Sequence, residues 1–261
     1  MIADSASVTS FTNGDIDIDD LTILGSGTAT AGEISAPLTV SANNVTIEGL
    51  RFDVSGGETA LSVSGDGFTL RDSVLAGDDA TLSGELGVDI GQVGSVTLTG
   101  NRFVDLAEGV VLAQDFNGSA AITGGSFVSG DAGVVIDGLG GSGDVSVREN
   151  SFRDNAEGVS LESGGGYDPG GELDIKFNEF FIPSGDGGSS VGVTADGTLP
   201  AEDNDSLGQT VLANRFVLLG ESDQGSKVSL GSLGSGDDFA IRLSASDLSG
   251  PSGGADVIRL S

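Results

Sequence analysis

The stretch VTLTGNRF, residues 96–103, alternates apolar and polar residues, turns at Gly-Asn and ends on a phenylalanine. The same eight-residue skeleton returns as VSVRENSF at 145–152 and as LDIKFNEF at 173–180. Written as apolar-x-apolar-x-x-Asn-x-Phe, it can be followed along almost the whole chain. Further copies fall at Val45/Ile47/Leu50/Phe52, Phe68/Leu70/Ser73/Leu75, Ala120/Ile122/Gly125/Phe127 and Gln209/Val211/Asn214/Phe216. Weaker ones sit at Ile16/Ile18/Leu21/Ile23 and Ile241/Leu243/Ser246/Leu248, which makes nine copies in steps of 23 to 36 residues.

Each copy is followed by a second short apolar alternation, usually opened by Gly or Ala. Examples are ALSV at 60–63, GVDI at 87–90, GVVL at 109–112, GVVI at 133–136 and GVSL at 158–161, continued by VGV at 191–193 and VSL at 228–230. Strands this short are not stable alone. Stacked in parallel, each turn of chain pairs with the turn before and after it, and the inward residues merge into one apolar column. The pattern therefore predicts an all-β parallel solenoid of about nine rungs over residues 15–260, without substantial helix and as one domain over 1–261. Phe52, Leu75, Phe103, Phe127, Phe152, Phe180 and Phe216 should stack inside it about 4.8 Å apart, the inter-strand spacing. Asn101, Asn150, Asn178 and Asn214 should form a corner ladder, because asparagine tolerates the left-handed conformation and its amide can bond one rung away.

These rungs resemble the right-handed parallel β-helix repeats of the pectin-lyase-like superfamily, whose turns commonly read as this motif followed by Gly-apolar-x-apolar. The resemblance implies the fold over roughly residues 15–260. It leaves activity open, since lyases, hydrolases, epimerases, tailspikes and adhesins share the fold.

Composition narrows the classes. The 261 residues include 45 Gly, 40 acids and 10 bases, for a net charge of −30. Such acidity disfavours nucleic acid and anionic membrane surfaces, and no run of 18 apolar residues offers a membrane span. Cys, His and Trp are absent and Tyr occurs once, so thiolate chemistry is excluded, and aromatic platforms for sugar stacking are expected to be missing, with the Phe residues committed to the interior. The start MIADSASVTS has neither the basic nor the apolar region of a cleaved signal, so an extracellular or cell-surface protein exported by another route is expected. The last residues, DVIRLS, read as an uncapped strand. A segment of a longer protein, or rods associating through open ends, would account for this.

The catalytic sets that the resemblance implies find few counterparts in this chain. A lyase-type base could come from Arg71, Arg148 or Lys176, outward and two residues before the Asn column, or from Arg51, Arg102 and Arg215, just before the Phe column. These bases are few for gripping a polyanion, and a solvated strand face is the simpler reading. Hydrolases need two carboxylates at a set separation, whereas Asp78-Asp79 and Asp237-Asp238 lie in turn-like surroundings. YDPGGE at 167–172 holds the sole Tyr and an Asp-Pro, but lacks the histidine that such an epimerase motif requires. An outward row of Thr46, Thr69, Thr97, Ser146 and Thr210 raises ice binding, although Ala121 and Asp174 interrupt it. For metal, hard calcium with oxygen ligands suits this composition, at Asp15, Asp17 and Asp19 on one strand face or at Glu202, Asp203 and Asp205 in the longest loop. The sequence thus favours a non-catalytic rigid or adhesive β-helix, with a carbohydrate or cell-surface ligand, self-association through its ends and calcium as the expected partners. The alternative is a carbohydrate-active β-helix on acidic polysaccharide.

Overall fold

The computed structural model describes residues 14–25, 33–35, 37–78, 84–167 and 171–183, together with Asn214 and seven further strands up to Ile258–Leu260. The chain winds through three parallel sheets of ten, nine and nine strands, visiting them in the same order on every turn. One turn shows the plan. Glu108–Leu112 lies in the first sheet, Ser119–Thr123 in the second and Ser126–Val128 in the third. Each of the three pairs in parallel with its counterparts one turn before and after. Six complete turns are described, from Leu38–Val40 to Glu179–Pro183, and further strands extend the ladders at both ends towards the nine rungs expected.

The alternation of the sequence decides which residues face in. Ser95–Thr99 is exposed and buried by turns, with Val96 and Leu98 inside. Inward residues from all three sheets form one continuous apolar core. Along the third sheet the register runs Phe52, Leu75, Phe103, Phe127, Phe152, Phe180, Phe216, one per turn. The rings of Phe103, Phe127, Phe152 and Phe180 lie nearly parallel, with centroids 4.6, 4.8 and 4.8 Å apart.

Opposite this stack runs a column of glycines in the first sheet. A Cβ on Gly87, Gly109, Gly133 or Gly158 would stand 2.9, 2.8, 2.6 or 2.5 Å from the ring of Phe103, Phe127, Phe152 or Phe180 in the same turn. Where the third-sheet residue is Leu75 instead of Phe, the facing residue is Ala60, fully buried. The glycines at 87, 109, 133 and 158 thus each make room for a ring.

The first turn departs from the expected alignment. Ile23 pairs with Ile47 in the second sheet and Ile34 pairs with Phe52 in the third, so Ile34 rather than Ile23 heads the phenylalanine column. DIDIDD offers two isoleucines in identical surroundings, but the strand covers only Gly14–Ile16 and the chain turns at Asp20, where φ is 56°. Ile16 enters the core and Ile18 is left 63% exposed.

Candidate functional site

A column of buried polar groups lies where the second sheet turns into the third. Asn101, Asn150, Asn178 and Asn214 are all buried, and each side chain is bonded in both directions. The Asn178 Nδ2 donates to Val147 O at 2.8 Å and to the Asn214 Oδ1 at 3.0 Å. Its Oδ1 accepts from the Asn150 backbone N at 2.9 Å and from the Asn150 Nδ2 at 3.2 Å. Asn150 repeats the arrangement, donating to Ile122 O and accepting from Gly125 N, both at 2.8 Å. The ladder is interrupted at Gly125 and at Ser73, whose hydroxyl accepts from Leu50 N and donates to Arg71 O.

The left-handed conformation falls one residue before the asparagine. It is adopted by Gly49, Asp72, Gly100, Gly124, Glu149 and Phe177, with φ between 50° and 67°. The asparagine itself satisfies backbone groups that the corner would leave unpaired, which in a buried place costs more than a typical hydrogen bond returns. A further buried amide, Asn155, does the same at the next corner, donating to Phe127 O and accepting from Gly130 N at 3.0 Å each.

Asp15, Asp17 and Asp19, read as calcium ligands, are not gathered with a further acid into a metal-holding group. Asp15 is in the first strand, whereas Asp17 and Asp19 lie in the turn after it. The Asp19 Oδ1 accepts from Asn43 N at 2.7 Å, the Asn43 Oδ1 from Asp66 N at 3.0 Å, and the Asp66 carboxylate from Gly94 N. These side chains form a second, exposed ladder that caps amides from turn to turn. Among the described residues no three acidic side chains come close enough to hold a metal ion. Glu202, Asp203 and Asp205 lie outside the described residues, as does Asp168.

The bases occupy the two flanks of the corner between the second and third sheets. Arg71, Arg148 and Lys176 end second-sheet strands, and Arg51, Arg102 and Arg215 begin third-sheet strands. Most are engaged locally. Arg71 pairs with Glu48 of the preceding turn at 3.1 Å and Arg51 with Asp53 at 2.6 Å. Asp174 holds Lys176 at 2.7 Å and also takes the guanidinium of Arg148. The outward threonines do align, Thr22, Thr46, Thr69 and Thr97 on successive turns, but Ala121, Ser146 and Asp174 follow them. The apolar hollow beside the stack, lined by Phe103, Leu106, Phe127 and Asn155, contains no titratable group.

Two carboxyls on the outside of the first sheet are perturbed. Burial pushes the Asp89 and Glu108 carboxyls above their ordinary range, and for Glu108 the charges of Glu162, Asp131 and Asp89 push the same way. A carboxyl with a raised folded-state pKa costs stability while it is ionised. That cost disappears as pH falls through the folded value towards the ordinary one. Glu108→Gln should therefore melt higher than the parent at pH 7, with a difference that shrinks on acidification to pH 4.5. Melting curves at the two pH values check this, and an unchanged or lowered melting point at pH 7 would refute it.

Compared with models of protein families, residues 38–205 match that of a right-handed β-helix region. Comparisons with curated proteins and with solved structures give no match.

Proposed function

The chain belongs to the right-handed β-helix family, and on that premise we propose that it is a non-catalytic module of the extracellular space or cell surface. It serves as a rigid spacer or adhesive rod, presenting its outer faces to a carbohydrate or cell-surface ligand. The observation that carries this reading is the use made of its polar side chains. Buried amides hold the corners, turn acids cap amides of the next turn, and Arg71, Arg148 and Lys176, the candidate bases two residues before the Asn column, are tied to carboxylates.

The test is turnover. Purified protein incubated with pectate, alginate and hyaluronate should release neither unsaturated products nor new reducing ends above background. Release that is abolished by Lys176→Ala or by Asp168→Asn would replace this reading with a carbohydrate-active one.

A further inference from the structure

The left-handed corner position is filled by glycine, aspartate or glutamate in five of the six described turns and by Phe177 in the sixth. Glycine adopts this conformation freely, and short polar residues do so at modest cost. A bulky residue there is an outlier. Phe177 has a φ of 58° and is 57% exposed, so its ring gains little from the core in return. A phenylalanine held in an unfavourable backbone region with its face in water points to an occupant outside the chain.

The neighbours of Phe177 say what that occupant is like. On the second-sheet side, Lys176 and Arg148 converge on Asp174. On the third-sheet side, the Arg153 guanidinium lies 4.4 Å from the centroid of the outward Phe181 ring. The register places Arg148 beside Lys176 and Arg153 beside Phe181, so these groups occupy two adjacent turns. Arg148, Lys176 and Arg153 here are outnumbered by carboxylates on the same two turns, among them Asp174, Glu149, Asp154 and Glu179, on a chain carrying −30. A polyanion would be repelled by the rest of the rod. A partner offering a flat C–H face to a ring, and hydroxyls to both donors and acceptors, would meet no such penalty.

We propose that Phe177 is the stacking platform of a binding site for a neutral pyranose polymer, flanked by Lys176, Arg148 and Glu149 as hydroxyl partners. This deepens the adhesive reading and rests on it. In native affinity gels containing laminarin, xyloglucan, galactomannan or polygalacturonate, at least one of the three neutral polymers should retard the protein. Phe177→Gly should weaken that binding by about tenfold or more, the loss of one desolvated aromatic contact, while its melting temperature stays the same or rises as the backbone is relieved.

No retardation by any neutral polymer, or retardation by polygalacturonate alone, would overturn the proposal. So would retardation that Phe177→Gly leaves intact, although the adhesive reading would survive that result. A lower melting temperature in Phe177→Gly would make the ring a packing element. A concentration-dependent mass by light scattering that Phe177→Gly abolishes would make the occupant a second copy of the chain. Either result rejects the sugar site. Turnover of a polysaccharide is a separate measurement and bears on the adhesive reading by itself.

Discussion

Asn178→Asp should be among the most damaging single-atom changes available in this chain, and more damaging at pH 7 than at pH 4.5. The side chain keeps its shape but loses the N–H groups that reach Val147 O at 2.8 Å and the Asn214 Oδ1 at 3.0 Å. Two acceptors then face a carboxylate oxygen in a site that is 1% exposed. Each buried polar group left unsatisfied costs about 1–3 kcal/mol, and a charge more. A loss of about 3–6 kcal/mol at neutral pH follows from the two groups together. Burial among oxygens raises the folded-state pKa of the new carboxyl above its unfolded value. The penalty is therefore full above the folded pKa and eases as pH falls through it, when the acid regains one donor. Asn178→Ser should be milder, because Ser73 already occupies this column with its hydroxyl bonded to Leu50 N and Arg71 O. In a stacked-repeat protein, damage is local before it is global. Urea melts should thus be paired with hydrogen exchange at the Asn150 amide, which donates to Asn178 Oδ1. If that amide exchanges no faster in Asn178→Asp than in the parent, the ladder does not hold the corner.

The columns were legible in the sequence because every turn must refill the same inward positions, so their chemistry recurs at a readable period. Even the leucine at position 75 declared itself, since its neighbours in the skeleton kept their spacing. The first turn was not legible in this way. DIDIDD repeats at two residues, so nothing in it says which isoleucine enters the core, and the turn at Asp20 decides. The left-handed residue at the corner escaped for the opposite reason. Gly, Asp, Glu and Phe all occupy it, and a conformational requirement met by such different side chains leaves no signature in composition. Asn155 was missed because its bonding role is read from partners, Gly130 and Phe127, that lie a full turn away. Asp19 reads as a calcium ligand in the sequence alone, whereas the register of the turns sets an amide opposite it and another opposite Asp66. Phe177 is expected inside with the other phenylalanines, but it stands at the corner with a φ of 58° and is exposed.

The pairing of a glycine with each of the rings from Phe103 to Phe180 makes a sharper prediction than either residue alone. Phe127 stacks on Phe103 at 4.6 Å and on Phe152 at 4.8 Å and is 1% exposed. Phe127→Ala removes both contacts from the middle of the rod and should cost about 3–5 kcal/mol. Phe127→Leu should cost about 1–1.5 kcal/mol, as a hydrophobic swap with modest loss of volume. Gly109→Ala puts a methyl 2.8 Å from the Phe127 Cδ1 and 2.5 Å from Gly133 O. The ring must move inside a filled core, at about 1–3 kcal/mol. The turn containing Ala60 and Leu75 shows that the two changes belong together, because there the methyl and the smaller side chain coexist fully buried. Gly109→Ala with Phe127→Leu should accordingly lose less than the sum of the single changes, with a coupling of about 1 kcal/mol or more in a double-mutant cycle. Part of the Gly109→Ala cost will persist, since the carbonyl of Gly133 belongs to the next turn and does not yield with the ring. Strict additivity in urea titrations would mean that the methyl is resisted by backbone alone and that the glycine column is not matched to the phenylalanine stack.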